Sequence, residues 1–141
     1  MKKRVLLKLA ALVLALVMLL GGPALAAETK ASDCFADPVA TLTRAGGGHI
    51  HIEFVARTKM VMDKLGVSKV QIYQTNGLLA ATIYYTYPGY GYMVASNTKR
   101  HSAVVDYAAT AGRSYYAVVD FYAKDDSGGY IQTKTTNTVT A

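Results

Sequence analysis

Two histidines and a glutamate alternate along one short segment and are the clearest candidates for chemistry at a metal ion. His49, His51 and Glu53 are spaced two residues apart, so in a β-strand they project from one face. Adjacent members of the series lie about 6.6 Å apart and could share an ion, whereas His49 and Glu53 lie about 13 Å apart and could not. A third ligand would have to come from a neighbouring strand, and the sequence identifies none. We therefore predict no metal and no cofactor here, and interpret the three residues as a solvated sheet face.

Catalytic residues are not recognisable either. Nucleophilic catalysis needs a base oriented beside a nucleophile, and the three histidines of the chain belong to no such signature. The adjacent Asp125 and Asp126 should diverge on a loop, and Asp106 and Asp120 are predicted to face solvent on neighbouring strands rather than to pair. Residues 124–129 also lack the spaced oxygens and distal glutamate of a calcium loop. We predict that the protein is not an enzyme.

Tyrosine is the most unusual feature of the composition, with eleven tyrosines and no tryptophan. Five are clustered: Tyr84, Tyr85, Tyr87, Tyr90 and Tyr92. Tyrosine supplies a large amphipathic contact area at low entropic cost, which is why binding loops favour it. Cross-strand aromatic pairing that stabilises a hairpin is the alternative interpretation. If the cluster is a ligand surface, a glycan, a peptide or a partner protein is the expected ligand.

The first 26 residues have the order of an export signal. Basic residues at 2–4 precede an apolar run at 5–20, helix-breaking residues follow, and the segment ends in an A-x-A cleavage motif at Ala24 and Ala26. A spanning helix would need about 20 uninterrupted apolar residues, and this run is shorter and contains a lysine. We predict a secreted protein cleaved after Ala26. A lipid anchor is not expected, because Cys34 does not directly follow the cleavage site.

Removal of the signal changes the charge balance. Four of the fifteen Lys and Arg residues lie in it, so the net charge falls from +6 to about +2. Without a concentrated basic stripe, neither nucleic acid nor a membrane is expected as a partner of the mature chain. The single Cys34 cannot form an internal disulfide, and burial or a place in a free N-terminal segment is favoured over pairing with another molecule.

The mature chain divides into a flexible N-terminal segment at 27–37 and one β domain at 38–141. A short strand at 38–44 and a glycine turn lead to the clearest alternation, in which Ile50, Ile52, Phe54 and Ala56 share a face. Residues 59–66 break that period and predict a helical turn or a crossing loop.

A strand from Gly66 then leads to Asn76-Gly77, a strong hairpin signal, with its partner strand at 78–85 and a turn at 87–92. The second half of the domain is also strand-rich. Strands are predicted at 102–109, at 114–123 as the longest, and at 130–140 as a Thr-rich edge, with a turn at 111–113 and a loop at 124–129. In the longest strand the predicted core face is Tyr115, Ala117, Val119, Phe121 and Ala123. Seven or eight short antiparallel strands indicate an all-β sandwich or barrel.

Gly112, the alternating run 115–123, a glycine-bearing loop and a Thr-rich last strand resemble the F and G strands of fibronectin type III and other immunoglobulin-like domains. The resemblance implies an immunoglobulin-like sandwich with Tyr115 at the tyrosine corner. The chain departs from that pattern, because it lacks the inner-sheet Trp and the Cys pair.

A longer pattern is similar to a family of small secreted proteins of Gram-positive, often gut-dwelling, bacteria. It covers residues 40–141 and consists of Ile50-His51-Ile52-Glu53-Phe54, Met62-Asp63-x-x-Gly66-Val67, His101-Ser102-Ala103-Val104 and Gly112-x-x-Tyr115-x-Ala117-Val118-Val119. This resemblance implies export and a fold but supplies no site.

The function expected from these features is a secreted, non-catalytic binding or interaction module that uses the tyrosine cluster. The alternative is a secreted antimicrobial or toxin-like β-sandwich, and a structural module of the cell surface is a third class without a visible anchor. The sequence does not indicate an oligomeric state.

Overall fold

The computed structural model describes Ala31 and residues 33–141, which form one connected antiparallel sheet of seven strands curled into a half-barrel. The elements in chain order are β1 (Val39–Gly46), β2 (His49–Gln74), β3 (Leu79–Tyr84), a 3-10 helix (Gly91–Met93), β4 (Val94–Ala108), β5 (Ser114–Asp125), β6 (Gly128–Thr135) and β7 (Val139–Thr140). The predicted antiparallel all-β class is confirmed. The predicted export signal at 1–26 and its cleavage site lie outside the described residues.

Strand β2 is the central strand of the sheet. Its 26 residues make it the longest strand, so the prediction that 114–123 would be the longest is wrong. One edge of β2 pairs first with β1 and then with β5, and the other edge pairs with β4 and then with β3. Because these four strands all pair with β2, the curl of the sheet follows the backbone path of β2.

The helical turn or crossing loop predicted at 59–66 is also wrong, because β2 continues through these residues. The apolar period breaks there for another reason. Pairing between β2 and β4 slips between Arg57 and Met62, and such a bulge removes side chains from strict alternation and bends the strand. A broken period of two can thus indicate an irregular strand as well as a loop.

The core lies on one face of the curled sheet, and both predicted core faces are buried in full. Their alternating residues are Ile50, Ile52, Phe54 and Ala56 on β2, and Tyr115, Ala117, Val119, Phe121 and Ala123 on β5. Phe121 joins the two, because its ring meets that of Phe54 edge to face at 6.3 Å. Phe35 lies in the segment predicted to be a flexible lead-in. It is 4% exposed, and its ring meets the Phe121 ring edge to face at 6.4 Å. The end of that segment therefore belongs to the core.

The predicted turns occur where the sequence places them, but the loop predicted at 124–129 is shorter, because Lys124 pairs with Gly129 and Asp125 with Gly128. Gly46, Gly47 and Gly48 all have positive φ, at +86°, +61° and +79°, a conformation that L side chains rarely adopt. The Asn76-Gly77 hairpin is closed by the amide of Gln74, which donates to the carbonyl of Leu78 at 2.9 Å.

The Thr-rich C-terminal stretch is divided into two strands, β6 and β7, rather than one edge strand. The chain leaves β6 at Thr136, whose buried hydroxyl accepts a hydrogen bond from the amide of Ala117 at 2.9 Å. Asn137 then contacts β1. Its side-chain amide accepts from the Leu42 N–H and donates to the Leu42 carbonyl, both at 2.9 Å. This side chain satisfies backbone groups on the edge of β1 that no strand pairs.

Candidate binding surface

The tyrosine-rich segment is an excursion from one edge of β2. Strand β3 ends its pairing with β2 at Tyr84, opposite Lys69, and β4 resumes pairing at Val94, opposite Gly66. Residues 85–93 therefore leave and rejoin the sheet at almost the same place along β2. We call residues 84–93 the Tyr loop.

Gly66 permits the return of the Tyr loop to the sheet. A Cβ atom built on Gly66 would lie 2.0 Å from the carbonyl oxygen of Met93 and 2.8 Å from the Cα of Val94. Because both atoms belong to the backbone, neither can move aside without shifting the chain. Only glycine therefore allows the end of the Tyr loop to lie directly on β2.

Several contacts hold the Tyr loop in one conformation. Met93 is fully buried, and Tyr85 and Tyr90 are partly buried against the core. The amides of Tyr87 and Tyr90 donate to carbonyls three residues earlier, at 3.0 and 3.1 Å. The Nε2 atom of His101 lies 2.7 Å from the carbonyl of Tyr92 and donates to it as N–H. The loop is thus anchored at both ends and along its length.

The other three tyrosines of the cluster face water. Tyr84, Tyr87 and Tyr92 are 40%, 46% and 45% exposed. The rings of Tyr84 and Tyr87 meet edge to face at 5.3 Å, and that of Tyr92 lies 6.2 Å from Tyr90. Both interpretations of the cluster thus have a structural counterpart: two rings pack against the core, and three are displayed to solvent while contacting neighbouring rings.

Further tyrosines extend this surface across the outer face of the sheet, opposite the core. Tyr122 of β5 stacks on Tyr85 of the Tyr loop at 6.1 Å. Farther along β5, Tyr116 stacks on Tyr73 of β2 at 5.4 Å. Burial, and then the nearby Tyr85, raise the pKa of the Tyr122 hydroxyl above its ordinary value. The sequence analysis missed these residues, although alternation along β5 places Tyr116 and Tyr122 opposite the predicted core face.

Asp120 lies between these aromatic groups and corrects a prediction. The sequence predicts a solvent-facing side chain, but it is only 14% exposed, lies 3.0 Å from the ammonium of Lys69 and accepts a hydrogen bond from Thr133 at 2.8 Å. The hydrogen bond to Asp120 raises the pKa of the Lys69 ammonium. The centre of the outer face is therefore polar and hydrogen-bonded, with tyrosines on either side.

Asp106 occupies a different part of the sheet and contacts the histidine pair. His49 Nδ1 lies 2.8 Å from one carboxylate oxygen, and His51 Nε2 lies 3.3 Å from the other. Glu53 instead accepts a hydrogen bond from the hydroxyl of Thr43. Across Ala31 and 33–141 there is no group of three or more His, Cys, Asp or Glu side chains arranged to hold a metal ion.

Cys34 is partly buried at the edge of a cavity of about 400 Å³. The lining residues are Asp33, Cys34, Lys59, Met60, Met62, Asp125, Ser127 and Tyr130. Burial raises the pKa of the thiol, Asp125 raises it further, and Lys59 opposes the shift. A raised pKa leaves the thiol protonated and less nucleophilic at neutral pH.

No protein-family model matches this chain, and no curated protein sequence is similar to it at a significant level. Among the described residues there is no helix long and apolar enough to cross a membrane.

Proposed function

We propose that the protein is a secreted, non-catalytic binding module whose ligand is a glycan. The observation that supports this proposal most directly is the display of Tyr84, Tyr87 and Tyr92 in water by a loop that is itself anchored in the core. A loop held in its binding conformation loses little entropy when a ligand binds, so more of the contact energy contributes to affinity.

The surroundings of the tyrosines favour a polyhydroxylated ligand. Between the aromatic groups, the outer face carries the Lys69–Asp120 ion pair with Gln71, Thr82 and Thr133 at neighbouring register positions. A tyrosine ring offers an apolar face with negative quadrupole to the C–H groups of a sugar, and its hydroxyl can exchange hydrogen bonds. Charged and amide side chains beside such rings supply hydrogen bonds to sugar hydroxyls. A protein ligand would call for a more continuous apolar centre.

The finer fold assignment belongs to this proposal as well. We propose that the domain is a variant of the immunoglobulin-like or fibronectin type III-like sandwich and belongs to the secreted family whose pattern the sequence resembles. The hydroxyl of Tyr115 supports it by accepting a hydrogen bond from the amide of Thr110, five residues earlier, at 3.0 Å, the type of bond made at a tyrosine corner. Export with cleavage after Ala26 would place the module outside the cell.

The test is retention on an array of microbial and host glycans, using the chain purified from culture medium. We expect the double variant Tyr84→Ser/Tyr87→Ser to bind a retained glycan about 30- to 1,000-fold more weakly, since each of the two aromatic contacts contributes roughly 1–2 kcal/mol. The matched control is Leu78→Ser, which removes an exposed apolar side chain at the hairpin tip and should not change binding. Retention on peptides or proteins with no glycan retained, or unchanged binding by the double variant, would contradict the proposal.

A further inference from the structure

One corner of the sheet projects where β2 and β4 lose their register. Arg57 pairs with Arg100 and Met62 with Thr98, so on the β4 side only Lys99 lies opposite residues 58–61 of β2. Thr58 also forms a bridge with Phe35. The hydroxyl of Thr58 donates to the carbonyl of Met60 at 2.7 Å. On β4, the amide of Arg100 donates to the hydroxyl of Thr98 at 3.2 Å. These bonds form a defined bulge.

The tip of the bulge is apolar. Met60 is 72% exposed and Val61 is 62% exposed, the two highest values for large apolar side chains among the described residues. Folding gains little from side chains that stay in water, and two adjacent ones at a projecting position are a common feature of interaction sites.

Positive charge lies beside the tip on β2 and β4. Arg57 and Arg100 are direct cross-strand partners, an arrangement of like charges that destabilises a sheet. Lys99 adjoins them on β4, and all three are exposed. No ion pair among the described residues includes any of them. Lys59 adds a further positive charge, but it lines a cavity together with the carboxylates of Asp33 and Asp125. Asp63 is the acid of the same segment and offsets part of the excess.

We propose that this basic corner, formed by Arg57, Met60, Val61, Lys99 and Arg100, docks on the surface of an anionic lipid bilayer. The apolar tip would enter the interface while the three cations contact lipid phosphates, the combination by which peripheral proteins bind such membranes. A soluble polyanion would satisfy the cations but not the tip, which is why the bilayer is the ligand that fits both. The inference is independent of the Tyr loop.

The net charge of the chain does not indicate the basic corner. The sequence predicts no membrane partner, because the mature charge is only about +2 and no basic stripe is visible. Strand pairing brings together two basic segments that are far apart in the sequence, Arg57 on β2 and Lys99-Arg100 on β4. Local charge density, rather than net charge, determines attraction to a surface within a Debye length.

The test is co-sedimentation of the chain purified from culture medium with vesicles of phosphatidylglycerol mixed with phosphatidylcholine, and with vesicles of phosphatidylcholine alone. We expect binding only to the anionic vesicles, and weaker binding at high salt. The double variant Arg57→Gln/Arg100→Gln should bind about 10- to 30-fold more weakly, since each cation near such a surface is worth roughly 1 kcal/mol. Met60→Ser/Val61→Ser should also lose binding, while Arg44→Gln and Leu78→Ser are the matched controls.

Circular dichroism melts of each variant show whether it is folded, and both charge removal and tip replacement at exposed positions should leave the fold intact. The proposal is overturned by equal binding to both kinds of vesicle, by no vesicle binding, or by variants that bind as the unaltered chain does. Equal affinity for inorganic polyphosphate, together with no effect of the tip variant, would show a polyanion site instead and would also overturn it.

Discussion

Two groups of tyrosines in this domain differ in their burial and in their contacts. Tyr115 on β5 is 1% exposed, its ring meets that of Tyr107 edge to face at 6.2 Å, and its hydroxyl accepts a hydrogen bond from Thr110. Tyr87 in the Tyr loop is 46% exposed, and its ring contacts that of Tyr84. The same side chain therefore serves the core where alternation points it inward, and a surface where the chain leaves the sheet. Abundance of tyrosine therefore does not indicate a binding function until the backbone path is known.

The largest effect on stability is expected for a substitution in the core. Phe121 contacts both Phe54 and Phe35 and is fully buried. Phe121→Ala should lower the free energy of unfolding by about 3–5 kcal/mol, because it leaves a cavity beside the rings of Phe54 and Phe35. Chemical denaturation measures this loss. Ile131→Ala, at an exposed position on β6, is the control and should change stability by less than about 1 kcal/mol.

The next effect joins the two regions, because Gly66 lies on the core strand and the Tyr loop returns on top of it. Gly66→Ala places a methyl group against the backbone of Met93 and should cost about 1–3 kcal/mol. It should also displace the Tyr loop, which a change in the near-ultraviolet circular dichroism of the tyrosines would report. A Gly66→Ala variant with the unaltered melting temperature and spectrum would show that the close approach is unnecessary.

How far the sequence predicts this structure depends on the length scale of the signal. Local alternation correctly predicts the buried faces at Ile50 and Phe121, and glycine-containing turns are predicted at the right places. It fails at residues 59–66, where a register slip mimics a loop. The placement of Tyr73, Arg100 and Asn137 depends on which strands pair, and a single sequence does not encode that pairing in any short pattern.

A smaller effect on stability is expected for the exposed tyrosines of the Tyr loop. Tyr87→Ser removes a displayed ring and one edge-to-face contact, so stability should fall by about 0.5–1 kcal/mol. Thermal melts beside those of Phe121→Ala would check the contrast. A loss as large as that of the core variant would mean that the Tyr loop supports the fold rather than a ligand.

The smallest effect concerns alkaline pH. Burial is the main cause that raises the pKa of Tyr107 and of Tyr122 above its ordinary value near 10. In the unfolded chain these hydroxyls lose their protons first, so the folded state binds more protons and loses stability as the pH rises. Denaturation curves should coincide between pH 7 and about 9 and shift to lower denaturant above about 10. Curves that shift to higher denaturant over that upper range would contradict the sign of this effect.

Limited nitration of the tyrosines, mapped by mass spectrometry with and without a glycan retained on the array, tests the division between core and display most directly. We expect Tyr84, Tyr87 and Tyr92 to react first, because their side chains are exposed. Tyr115 should stay unmodified until the protein unfolds. Saturating glycan should protect Tyr84 and Tyr87 while leaving the reactivity of Tyr130, on β6, unchanged. Early modification of Tyr115, or no protection of Tyr84 and Tyr87 by the bound glycan, would contradict the account.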